Sequence, residues 1–113
     1  MLEAAQLACS YVADADKVVF LADKRTQQAV ILNIIVIGEA ATKISSEHPA
    51  FVAQHADIAW KNMKGMRNRV AHGHFDIDLD IPWGTVRSAL PELIVQLNAL
   101  RTSPPSDDRN LKP

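Results

Sequence analysis

Apolar residues recur along this chain at intervals of three and four and nowhere alternate cleanly over the length of a strand, a pattern that predicts an all-α domain. A first helix is expected from near Met1 to about Ala13. Asp14 or Asp16 caps a short second segment carrying Val18, Val19, Phe20 and Leu21. The third helix, from near Asp23 to about Ser46, is the longest. Within it Val30, Ile34, Ile37, Ala41 and Ile44 form one stripe, while Ile31, Ile35, Gly38 and Thr42 form an adjacent one. A helix apolar on more than one face needs cover on several sides, so it is expected both at the centre of a bundle and at a homodimer interface. Gly38, with Ala40 and Ala41, lets another backbone come close.

Pro49 breaks that helix, and a short helical turn holds Phe51 and Val52. A fourth helix is expected from Asp57 as N-cap through Trp60, Met63, Met66, Val70 and Ala71, stopping near Gly73. Asp80 then caps a fifth, with Pro82 in its first turn and Trp83, Val86, Leu90, Leu93, Ile94, Leu97 and Leu100 along it, and Pro91 kinks it. Residues 1–101 thus read as one helical domain. The tail 102–113 has no apolar face and is expected to be disordered.

Composition narrows the function. One cysteine, Cys9, excludes an intramolecular disulfide and a Cys-rich zinc site, and among apolar neighbours it reads as an inert core thiol in a reducing, cytoplasmic setting. The run "AVILNIIVIGEAA" is interrupted by Asn33 and Glu39, so no membrane span is expected. No Cys or acidic pattern with ligand spacing accompanies His48 and His55, and no phosphate loop or cofactor motif occurs, so neither metal nor cofactor is expected. Glu39, costly to bury unpaired, should meet an arginine or lysine. The net charge of −1 means that a polyanion would be drawn only to a local patch.

Such a patch exists. Lys61, Lys64, Arg67 and Arg69 occur between Ile58 and Phe75 with no acidic residue among them, four of the twelve cations of the chain. They lead into "MRNRVAHGHFDID", which ends the fourth helix. Residues four apart share a helix face, so the Asn68 amide is placed to orient the His72 imidazole; Arg67 and His72, five apart, diverge by about 140° and can meet only at a shared ligand. A neutral imidazole can take a proton from a ribose 2′-hydroxyl, an imidazolium can protonate a leaving 5′-oxygen, and a guanidinium can hold the charge building on the phosphate. Composition equally allows a structural role, with Arg67 and Asn68 bound to carbonyls and aspartates of the "DIDLD" loop and His72 capping its own helix.

The strings "DKRTQQAVILNIIVIGEAATKIS", "IAWKNMKGMRNRVAHGHFDIDLDIPWGTV" and "LPELIVQL", in this order, closely resemble the HepT-like branch of the HEPN superfamily from Met1 to Arg101. The resemblance implies a five-helix, mainly antiparallel up-and-down bundle that dimerises. It implies a metal-independent endoribonuclease toxin of a type VII-like toxin–antitoxin pair, with RNA as substrate, tRNA in some members, and an MntA-like nucleotidyltransferase as antitoxin. The family motif is R-x4-H-x-Y: Arg67 and His72 match its arginine and histidine as catalytic residues. Asn68 matches its polar position and, with His74, is a supporting residue; Lys61, Lys64 and Arg69 of the basic patch are the candidate RNA-binding cations. His74 stands where the family has a tyrosine that some antitoxins adenylylate, and many relatives carry an N-terminal stretch before Met1. The alternative is a helical RNA-binding or partner-binding module that keeps the motif for structure.

Overall fold

Asp16 and Asp23 each open a helix by accepting a backbone N–H with the side chain, from Val19 at 2.9 Å and from Thr26 at 3.2 Å. In the computed structural model, which describes residues 1–72 and 78–102, these helices are α2 (Lys17–Ala22) and α3 (Lys24–Glu47). They follow α1 (Leu2–Tyr11) and precede α4 (Pro49–Gln54), α5 (Trp60–His72), α6 (Asp80–Gly84), a π turn (Thr85–Ala89) and α7 (Leu90–Thr102). The described residues contain helices and no strand.

The centre is α3, which packs against α5 and α1, while α1 also meets α7. Its first predicted stripe is the core face: Val30, Ile34, Ile37 and Ala41 are buried with Ala5, Ala8, Phe20 and Val86. Two polar residues are buried with them and satisfied. Gln27 Nε2 donates to the carbonyls of Phe20 (2.9 Å) and Leu21 (3.0 Å), tying down the end of α2, and Asn33 Nδ2 donates to Ala29 O at 2.9 Å. At 24 residues α3 is long and apolar enough to cross a membrane by length and composition, although its predicted apolar run is not. Here its apolar residues divide between the core and an outer ridge, where Leu32 is 60% and Val36 44% exposed.

Two predicted caps are corrected. Asp57 is not the N-cap of α5: it lies in a turn held by Ile58 N–H to His55 O, and the helix begins at Trp60, with the Ala59 carbonyl accepting from Met63. Asp80 is not a cap either. Asp78 Oδ1 accepts its backbone N–H at 3.0 Å, so Asp80 stands in the first turn of α6, where its carboxylate pairs with Lys17 at 2.8 Å.

The expected fifth helix runs on through a π turn placed just before Pro91. Pro91 has no N–H and its ring excludes the carbonyl four residues earlier. The chain accommodates this by widening: Leu90 N–H bonds Thr85 O, five residues back. The Val86 carbonyl then faces a proline that cannot donate, and the Cys9 thiol donates to it instead, at 3.6 Å. Partial burial pushes the Cys9 thiol up, away from the reactive thiolate.

Candidate functional site

The motif helix packs along α3, burying Trp60 and Val70, and comes closest to it at Gly38. A Cβ at Gly38 would overlap Cβ of Arg67 and stand 2.8 Å from its Cγ and 2.9 Å from the Met63 carbonyl oxygen. The α3 and α5 backbones cross there in near contact, and the Arg67 stem lies across α3 where any side chain at position 38 would stand.

The guanidinium is held from two sides. Arg67 Nε lies 2.5 Å from Glu39 Oε1, a charge contact outside hydrogen-bond alignment, and Nη1 donates to Asn68 Oδ1 at 3.0 Å. The Arg67 side chain is 31% and that of Glu39 58% exposed, so the pair sits at the surface and adds little to stability. Of the five N–H donors of a guanidinium, those not used here have no partner among the described residues. What the pair supplies is position: a cation pre-oriented at the surface, able to hold an anionic group bidentately.

Asn68 has one described side-chain contact, and the expected one to the His72 imidazole lies outside the described residues. Its carbonyl oxygen receives Arg67, the adjacent and longer side chain, so the described contact orients the guanidinium. The alternative that Arg67 and Asn68 serve the acidic loop finds no support among the described residues, where Asp78 takes the Asp80 N–H and Asp80 takes Lys17. Glu39 does meet an arginine, but at the surface instead of buried. His72 is the last residue of α5; its side chain and the whole of His74 lie outside the described residues, as do the predicted helix stop at Gly73 and the tail from 103 onward.

Lys61, Lys64 and Arg69 form no ion pair among the described residues. Lys61 and Arg69 line a groove of about 490 Å³ between α3, α5 and the α7 side; Lys64 is half-buried and lies outside that lining. His48 and His55 are remote from this cluster in sequence, and His55 packs its ring 4.4 Å from Phe51.

The family model described as Ribonuclease HepT-like matches residues 1–100. The chain belongs to this HepT-like family. It is similar to "Probable ribonuclease HepT" of Thermococcus cleftensis, 38% identical over 82 residues that cover 73% of this chain and 72% of that protein. It is also similar to "Putative RNase MJ0127" of Methanocaldococcus jannaschii, 32% identical over 91 residues, 80% of this chain and 73% of the relative. No solved structure matches.

Within this HepT-like chain the described structure brings Arg67, Asn68 and Glu39 together. Sequence reasoning did not connect Glu39 to the motif. The available signal was its place directly after Gly38: if α3 approaches another backbone at 38, a carboxylate at 39 stands beside whatever crosses there.

Proposed function

We propose that this HepT-like chain is a metal-independent endoribonuclease, the toxin of a HEPN/MNT-type toxin–antitoxin pair acting in the cytoplasm. The observation that carries the reading is Arg67, a cation held at the surface by Glu39 and Asn68 and placed five residues before His72 on the same helix. Arg67 binds the scissile phosphate. One His72 imidazole takes the proton of the ribose 2′-hydroxyl as its oxygen attacks phosphorus; the bond to the 5′-oxygen breaks, and an imidazolium returns a proton to that oxygen. The products are a 2′,3′-cyclic phosphate and a 5′-hydroxyl.

Two imidazoles of opposite protonation are supplied by a homodimer in which the α5 helices face each other, so that one His72 is the base and the partner's His72 the acid. The exposed ridge of Leu32 and Val36, about two turns and one turn before Glu39 on α3, favours this assembly. In the same reading His74 cannot offer the phenolic oxygen that tyrosine adenylylation needs, so a nucleotidyltransferase antitoxin inhibits mainly by covering the cleft.

The test is RNA cleavage by purified parent, Arg67→Ala and His72→Ala proteins. Each substitution is expected to lower the rate by about 10²–10⁴-fold with the helical circular dichroism unchanged. Full activity in either variant overturns the assignment. RNA binding without cleavage by the parent protein would favour the non-catalytic module.

A further inference from the structure

Gly65 is a glycine in the middle of a helix with no internal reason to be one. A Cβ built there meets nothing within 4 Å, and glycine at such a position costs stability relative to alanine. Gly38, on the neighbouring helix, is small because Arg67 crosses it; nothing among the described residues crosses Gly65. Its neighbours on the same helical row are Lys61, four residues before, and Arg69, four residues after. The result is a cation, a gap and a cation in line along the exposed side of α5, with all three residues on the lip of the 490 Å³ groove.

The groove is polarised. Met63, Met66, Leu90 and Leu93 line it with apolar surface, the α5 side carries Lys61 and Arg69, and the opposite side carries Glu92, with Asp57 at the end nearest Gln96. Its volume lies within the range of about 300–1,000 Å³ typical of small-ligand sites. A flat, partly apolar ligand with an anionic group at one end and hydrogen-bond donors at the other matches this order of charges. A nucleotide has that order: phosphate, then sugar, then base.

Resting on the ribonuclease reading above, we propose that this groove holds one nucleotide of the RNA strand away from the scissile bond. Its phosphate crosses α5 at Gly65 between Lys61 and Arg69, and its base lies over the methionines with its edge toward Glu92. The open position 65 allows the phosphate to approach the helix, as glycine does wherever a backbone must meet a ligand closely. Glu92, a carboxylate acceptor, favours bases that present an amino group, cytosine, adenine and guanine, over uracil. Gly65 lies seven residues before His72, roughly 10 Å along the helix, so the site binds the same strand beside the cleaved step.

The probe is a fluorescently labelled RNA oligonucleotide, fully 2′-O-methylated so that it cannot be cleaved, in cytosine-rich and uracil-rich versions, with affinity read by anisotropy. Gly65→Leu blocks the crossing with a good helix former, and Ala89→Trp fills the groove from an exposed position. Each is expected to weaken binding at least tenfold without lowering the melting temperature, and Glu92→Gln is expected to erase a preference for the cytosine-rich probe. Parent-like affinity in both Gly65→Leu and Ala89→Trp would overturn the groove proposal while leaving the ribonuclease reading intact. A parent that neither binds nor cleaves any RNA would overturn both. Conversion of a dimer to a monomer by either variant would assign the groove to a second copy of the chain and overturn the proposal.

Discussion

Arg67 is held by contacts of different kinds, and they should separate on mutation. Glu39→Gln keeps the size of the side chain and removes the charge beside Nε. Because the Glu39 carboxylate is largely exposed, stability should change by less than about 0.5 kcal/mol, while RNA cleavage falls by about tenfold as the guanidinium loses its fixed direction. Thermal melting beside a cleavage assay checks this; a large loss of stability would make Glu39 a structural anchor instead. Gly38→Ala should do the reverse. Its methyl has no room against the Arg67 stem and the Met63 carbonyl, so the α3–α5 crossing must open at a cost on the order of 1–3 kcal/mol, seen in denaturant midpoints. Much of this was legible in the chain. Helical spacing identified Gly38 as a point of close approach and Glu39 as a carboxylate in need of a cation. It could not say which helix arrives, because periodicity fixes the faces of an element and not its neighbours.

Helix starts show how far local chemistry decides an element. Asp23 caps α3 with both oxygens: the Thr26 hydroxyl donates to Oδ2 at 2.6 Å and the Thr26 N–H to Oδ1, and these bonds, the hydroxyl first, hold its carboxyl below the ordinary aspartate range. A carboxyl whose folded value is depressed contributes stability above its unfolded value, near 3.9, and loses it as pH falls through the folded one. Asp23→Asn still caps but does not titrate. Parent and variant melting temperatures should therefore converge as pH is lowered from about 5 to 3; a constant difference would contradict the cap. The same cue misleads at Asp57 and Asp80, since an aspartate before an apolar run signals a cap without specifying which of several turn residues takes the N–H. Asp78, two residues before Asp80, won that competition. The Pro91 anomaly was legible, but not its form: a π turn depends on whether another helix supplies a donor to the freed carbonyl, and Cys9 is 77 residues away from Val86 in sequence.

At the scale of the molecule the central question is how α3 is covered. Its inner stripe is buried, yet Leu32 and Val36 remain outside on the ridge leading to Glu39. Assembly through that ridge predicts a solution mass of twice the 12.4 kDa chain by light scattering, reduced to one chain by Leu32→Glu with Val36→Glu while helicity is kept. A parent that is monomeric at micromolar concentration would contradict the shared cleft. The apolar pattern of α3 announced an excess of hydrophobic surface, whereas what meets that surface is not written in the periodicity of one helix. Most direct for the proposed chemistry is the identity of the RNA ends left by the purified protein in excess chelator. Attack by the 2′-hydroxyl predicts undiminished cleavage with 2′,3′-cyclic phosphate and 5′-hydroxyl ends; loss of cleavage on chelation, or ends bearing a 3′-hydroxyl and 5′-phosphate, would contradict it.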